Sequence, residues 1–215
     1  MVVEVIMKPG KVTRIIINIV NAVMVFGVWI SLFFKAKEAG FLESGGITSL
    51  KYYTVLSNLL SGTASVVWLI GAFRKKESSF ADKFKYFSTV AVMVTFTVVL
   101  GFLAPLYGAN LLFDGTNLWY HLILPLLAIA EFLIFNKTKM GWKDNLMVTV
   151  SVWVYGIFYM LNNLINGIGQ WPDTNDWYGF LNWGWGPGLV IFVGVAAIAF
   201  IMGLILRGIL RIKKV

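Results

Sequence analysis

Residues 118–135 read LWYHLILPLLAIAEFLIF, an apolar run that holds the chain's one histidine, His121, then Pro125 four residues on, then a carboxylate, Glu131. Crossing the hydrocarbon core of a bilayer takes roughly 20 helical residues, so this run is of spanning length. Proline has no N–H to return to the carbonyl four residues back, so the His121 carbonyl is expected to lose its helical partner. An ionisable side chain beside a broken backbone bond is costly in lipid, and such places mark functional sites. The other reading is a helix-end histidine at the water interface, a common setting for a half-polar ring. On sequence, both stand.

The same character extends outward through all 215 residues, which are 59% hydrophobic and only 13% charged. Soluble domains carry about 25% charged residues. Apolar runs of spanning length occur at 14–34, 52–73, 86–107, 117–136, 144–168 and 186–209. They predict an all-α, polytopic integral membrane protein, with six transmembrane helices in a single domain over 1–215. The first run is longer than the core of a cleavable leader and no small-x-small site follows it, so it is expected to stay as a helix. There is no cysteine and one histidine. That excludes disulfides, thiolate catalysis, paired-histidine haem ligation and a multi-histidine metal centre within the chain. Neither a metal nor a cofactor is expected.

Charge sets the expected orientation. Lys8, Lys11, Arg14, Arg74, Lys75, Lys76, Lys83, Lys85, Lys137, Lys139, Lys143, Arg207, Arg211, Lys213 and Lys214 all fall on one side of the six runs. Lys35, Lys37 and Lys51 fall on the other. Lysine and arginine stay cytoplasmic, which puts both termini in the cytoplasm. The net charge of +8 is thereby topological, with anionic lipid as a further partner and no need of nucleic acid. The opposite side is aromatic: Tyr52, Tyr53, Tyr107, Trp119, Tyr120, Trp171, Trp177, Tyr178, Trp183 and Trp185. They read as an interfacial belt. The long connection 169–186 could instead fold over the helix ends as a cap.

Topology then sorts the polar side chains by depth. Thr54, Asn58, Ser61 and Ser65 fall on one face of the second helix. Thr54 and His121 come to similar depth, and the fifth helix brings Asn162, Asn163 and Asn166 to the same level. A hydroxyl, an imidazole and several carboxamides make up a small acyl-transfer site: nucleophile, base and neutral oxyanion donors. Helix packing is the competing explanation, and it accounts well for Ser57, Ser61, Gly62 and Ser65. Glu131 lies ten residues below His121, roughly 15 Å along a helix. It is too far to orient the imidazole, and a pairing role with Lys137, Lys139, Asn18 or Asn21 is expected.

Six spans with cytoplasmic termini, Tyr53-Thr54-Val-Leu-Ser-Asn58 opening the second, and His121 with Pro125 and Glu131 in the fourth resemble a known family. It is that of the androgen-induced and androgen-dependent transmembrane proteins, and more closely its bacterial six-span branch. The likeness runs the length of the chain, with its specific part in those two segments. It implies a threonine hydrolase cleaving fatty-acid esters of hydroxy fatty acids, in a prokaryotic plasma membrane, with Thr54 as nucleophile and His121 as base. The spacing from His121 to Pro125 is one residue shorter than in the animal members, an offset worth about 100° around a helix.

The combined expectation is a lipid-ester hydrolase with an outer-leaflet pocket between the second, fourth and fifth helices. Thr54 and His121 are the catalytic pair, Asn58, Asn162, Asn163 and Asn166 the oxyanion or substrate donors, and Pro125 and Glu131 structural polar positions. The alternative is a bundle that binds a lipid or transports a small molecule without chemistry. An enclosed apolar cavity at Thr54 and His121 would favour the first, and a wet cavity open to one side the second.

Overall fold

The computed structural model describes residues 9–34, 45–76, 78–113, 115–170 and 174–213, and no strand occurs among them. Helix α1 is Pro9–Phe34. A 3-10 turn, Gly46–Lys51, leads into α2, Tyr53–Phe73. Helix α3 is Ser79–Val98, continued by a π turn, Val99–Leu103, and by Ala104–Tyr107. Helix α4 opens with a π turn, Leu118–Ile123, and runs on as Leu124–Phe135. Helix α5 comprises Trp142–Met147 and Val150–Asn166, and α6 is Trp185–Ile212. All six are long and apolar enough to cross a membrane. The all-α part of the predicted fold class holds, with six helices of spanning length among the described residues.

The main difference in boundaries is at α3, which begins at Ser79 and not near 86. Ser78 caps it, its hydroxyl accepting from the Phe80 N–H at 3.2 Å, and an oxygen in that position satisfies one of the unpaired amides of a first turn. Asp82, Lys83 and Lys85 therefore lie on a helix and not in a loop.

Helices α1, α2, α3 and α4 close a ring, each packed on the next and α4 back on α1. α6 lies against α3, and α5 is outboard, held mainly by α6. Close approach within the ring depends on Gly62, where a Cβ would stand 2.8 Å from Val25 Cγ1 of α1. The distribution of side chains is the reverse of a soluble bundle. Asn18, Asn21, Asn58, Ser61, Ser65 and Thr89 are buried, while Phe158, Leu164, Ile165 and Val190 are at least two-thirds exposed. Lipid solvates aliphatic side chains, so small and polar groups move inward, where they pack closely and bond to each other.

One end of the bundle carries the chain ends of α1 and α6 and is here called the basic end; the other is the aromatic end. Towards the basic end lies a buried ionic network. Glu131 receives Arg14 Nε at 2.8 Å and Asn18 Nδ2 at 3.0 Å on Oε1, and Lys85 Nζ stands 3.1 Å from Oε2. Lys85 also donates to Asn18 Oδ1 and Ser65 Oγ, and Arg14 reaches Asp82 at 3.0 Å. The expected pairing role of Glu131 is correct, as is Asn18. Its cations, however, are Arg14 and Lys85, not Lys137 or Lys139, and Asn21 serves Ser61 and Ser65 instead. Sequence counted Arg14 and Lys85 with the basic residues on one side of the six runs; each is buried within a helix. Two cations and two carboxylates balance, which lets them sit in a low-dielectric interior.

Candidate functional site

The site starts from how α4 copes with Pro125. In the π turn the amide of residue i reaches back five residues, and the Leu124 N–H bonds the Trp119 carbonyl. In that register the carbonyl left without a partner by Pro125 is Tyr120, not His121 as α-helical spacing predicts. Asn58 of α2 supplies the missing donor, its Nδ2 lying 3.0 Å from the Tyr120 carbonyl oxygen. The same amide group donates to the Thr54 carbonyl at 2.8 Å. Asn58 thus joins the backbone at Thr54 to the backbone beside His121. On the far side, the Tyr120 hydroxyl donates to the Val25 carbonyl of α1 at 2.8 Å. α3 repeats the device, with Pro105 following its own π turn.

Thr54 and His121 line one small cavity of about 20 Å³, together with Ser49, Tyr52, Asn117 and Tyr178. A single water-sized group fits such a space. Thr54 also lines a second cavity of about 40 Å³ on its other side, walled by Val94, Val99, Leu103, Phe180 and Phe192. That wall is almost wholly apolar. Thr54 stands at the partition between a polar recess containing the imidazole and a greasy one that does not. His121, in the first turn of α4, is buried against protein groups.

The connection between α5 and α6 is a folded cap. Among its described residues, Asp176, Tyr178, Phe180 and Leu181 are buried. Tyr178 stacks on Phe180 and Tyr159, and its hydroxyl accepts the Tyr53 N–H at 2.9 Å. Burial pushes the Tyr178 hydroxyl up to about 12, against the pull of hydrogen bonds from Tyr155, from the Tyr53 and Thr54 backbone and from the Thr54 side chain. Tyr178 is therefore a protonated hydroxyl in contact with the Thr54 side chain at any physiological pH. Sequence reading missed it, counting it as belt. The signal was there in the glycine-punctuated connection, but nothing in it distinguishes Tyr178, which is buried, from Trp183, which is 55% exposed. Trp171 and the side chain of Tyr107 lie outside the described residues, as do Lys8, Lys35, Lys37 and Lys214.

The carboxamides do not act as expected. Both N–H groups of Asn58 go to main-chain carbonyls, so it has none for an oxyanion. Asn163 spends its own on the Tyr159 and Asn175 carbonyls and so anchors the cap to α5. Asn166 is exposed and donates to Asn162 Oδ1. α5 reaches the apolar cavity through Val152 and Tyr155 but supplies nothing to the recess at His121. The reason is simple: α5 packs on α6, outside the ring.

Asp176 fixes the cap's underside, accepting from the Tyr159 hydroxyl and, at 2.9 Å, from the Leu181 N–H. Burial raises its carboxyl above the usual aspartate value, the hydrogen bonds from Tyr159, Leu181 and Phe180 opposing that only in part. A folded value above the unfolded one means that the native cap holds the proton more tightly. Its contribution to stability is complete below the unfolded value near 4 and is lost as pH rises through the raised one. Proteolysis within 174–184 should therefore speed up as pH rises through the raised value. Asp176→Asn should flatten that dependence; an unchanged profile would show that another group controls the cap.

The chain matches no family model, no curated protein and no solved structure.

Proposed function

We propose that this chain is an intramembrane hydrolase of lipid esters, of the fatty-acid ester of hydroxy fatty acid type, with Thr54 as nucleophile and His121 as base. What carries the reading is the position of Thr54, on the wall between an apolar cavity and the recess that it shares with His121. A lipid ester has that same division: an aliphatic chain on one side of a polar carbonyl. Thr54 Oγ1 attacks the carbonyl carbon, and His121 takes the threonine proton and passes it to the departing alkoxide. Water, deprotonated by His121, then attacks the acyl carbon; the acyl–oxygen bond to Thr54 breaks, the fatty acid leaves, and His121 returns the proton to Thr54 Oγ1. The Tyr178 hydroxyl donates to the oxyanion in place of the carboxamides; a donor of this kind is worth on the order of a hundredfold in rate.

A groove of about 650 Å³ lies between α2 and α5, with Leu56, Leu60, Val154 and Phe158 along it. Tyr53 and Tyr155, ring centroids 5.2 Å apart, line both this groove and the inner apolar cavity. A groove of that size is in the range of small-ligand sites. It also favours the second reading, a protein that binds a lipid without cleaving it. In either case the excess of basic residues at the chain-end side supports a reading with both termini in the cytoplasm and the recess in the outer leaflet.

Labelling with a fluorophosphonate separates the two. The wild-type chain is expected to be modified, Thr54→Ala to lose all labelling, and His121→Ala to retain only a trace, since an unassisted threonine is a poor nucleophile. Equal labelling of all three, or of none, leaves lipid binding as the function.

A further inference from the structure

Away from that site, at the basic end, a cavity of about 420 Å³ opens between the end of α4 and the last turns of α6. Lys137, Lys139, Arg207 and Arg211 line it, with Asn136, and no acidic side chain does. The nearby carboxylates have closer partners than the cavity cations, although Asp144 also feels the Arg207 charge. Asp144 pairs with Lys83 at 2.9 Å and accepts the Gly141 N–H at 2.7 Å, while Asp82 takes Arg14 and the Thr138 hydroxyl. Among the described residues, none of the four cations has a carboxylate within ion-pair distance.

Two buried polar atoms on the lining point to an absent partner. Arg207 Nε has no acceptor among the described residues, although the guanidinium is held over the Trp142 ring at 5.5 Å. Asn136 is 2% exposed; its Nδ2 donates to the Thr138 carbonyl, and its Oδ1 receives nothing. Buried donors and acceptors in folded proteins are almost always satisfied. Four like charges around one hollow repel each other unless an anion joins them. The anion must suit a position where Met140 and Leu210 supply apolar walls at the end of two spanning helices.

We propose that this cavity binds the headgroup of an anionic phospholipid, with the phosphate among Arg207, Arg211, Lys137 and Lys139. A headgroup that carries a free hydroxyl, as phosphatidylglycerol does, supplies the donor that Asn136 Oδ1 lacks. Basic pockets at the cytoplasmic ends of membrane helices hold lipid phosphates by this chemistry. Arginine is suited to it through its fixed, paired N–H groups.

The test is thermal unfolding of the full chain in neutral detergent with added phosphatidylglycerol, phosphatidylcholine or glycerol phosphate. Phosphatidylglycerol at about a hundredfold excess over Kd should raise Tm by roughly 5–10 °C, and phosphatidylcholine should not. Arg207→Gln with Lys139→Gln should abolish most of that rise. Lys75→Gln with Lys76→Gln, which removes the same charge from the same end outside the cavity, should retain it. Equal loss in both variants would mean diffuse attraction, and an equal rise with glycerol phosphate would mean a free-anion site; either overturns the proposal. Should the pocket variant fail to fold, native mass spectrometry of the wild type decides. Phosphatidylglycerol retained in preference to phosphatidylcholine supports the site, and no preference refutes it.

Discussion

Lys85→Met by itself is expected to lower the unfolding free energy by about 3–5 kcal/mol, the usual cost of breaking a buried ion pair from one side. The Lys85 ammonium has three protons and three neighbours for them: Asn18 Oδ1 at 3.0 Å, Ser65 Oγ at 3.1 Å and Glu131 Oε2 at 3.1 Å. Methionine fills the volume but leaves Glu131 and Asp82 facing Arg14 alone, one negative charge in excess in an interior that cannot hydrate it. Removing the partner as well, in Lys85→Met with Glu131→Gln, restores the balance of Arg14 with Asp82. That double variant should recover most of the loss, because the isolated charge, and not the missing contact, is what costs so much. Denaturation followed by tryptophan fluorescence in mild detergent measures both. A cost below about 1 kcal/mol for the single variant would mean that water reaches the network.

The second large effect concerns Asn58. Asn58→Leu keeps the side-chain size but leaves the Tyr120 carbonyl with no donor, at about 1–3 kcal/mol for a buried unsatisfied group. Because Asn58 Oδ1 itself finds no donor, its removal offsets part of the loss and the lower half of that range is expected. The sharper test is a double-variant cycle with Pro125→Ala. An alanine there has an N–H, and in the π register it points to the Tyr120 carbonyl. Asn58→Leu should then cost much less in the Pro125→Ala background than in the native one. Equal costs in both would sever the link between Asn58 and Pro125. Fluorophosphonate labelling should fall in Asn58→Leu although Thr54 and His121 remain, since the amide joins their two backbones.

Sequence reading went furthest where the physics is one-dimensional. Lipid solvates a helix of roughly 20 apolar residues wherever it occurs, so six such runs can be read without knowing which helix touches which. The same holds for Pro125, whose missing N–H is a property of the residue. It also holds for the convergence of Thr54 and His121 on one cavity, since relative depth follows from counting residues along spans that alternate in direction. The prediction that an embedded carboxylate is paired needed no more than the cost of leaving Glu131 alone.

Direction around each helix axis, and the order of helices in the bundle, were decided only in three dimensions. Asn162, Asn163 and Asn166 lie at the expected level, yet α5 packs outside the ring and presents them to the cap and the surface. The π turn moved the orphaned carbonyl from His121 to Tyr120, and that shift turned Asn58 from a candidate oxyanion donor into a backbone tether. Arg14 and Lys85 count equally in a tally of basic residues, but a tally cannot tell a buried ammonium from a solvated one. Tyr178 comes to Thr54 across more than a hundred residues of chain. Sequence carries the period and the chemistry of each side chain; which groups face each other is set by how six helices share a finite volume.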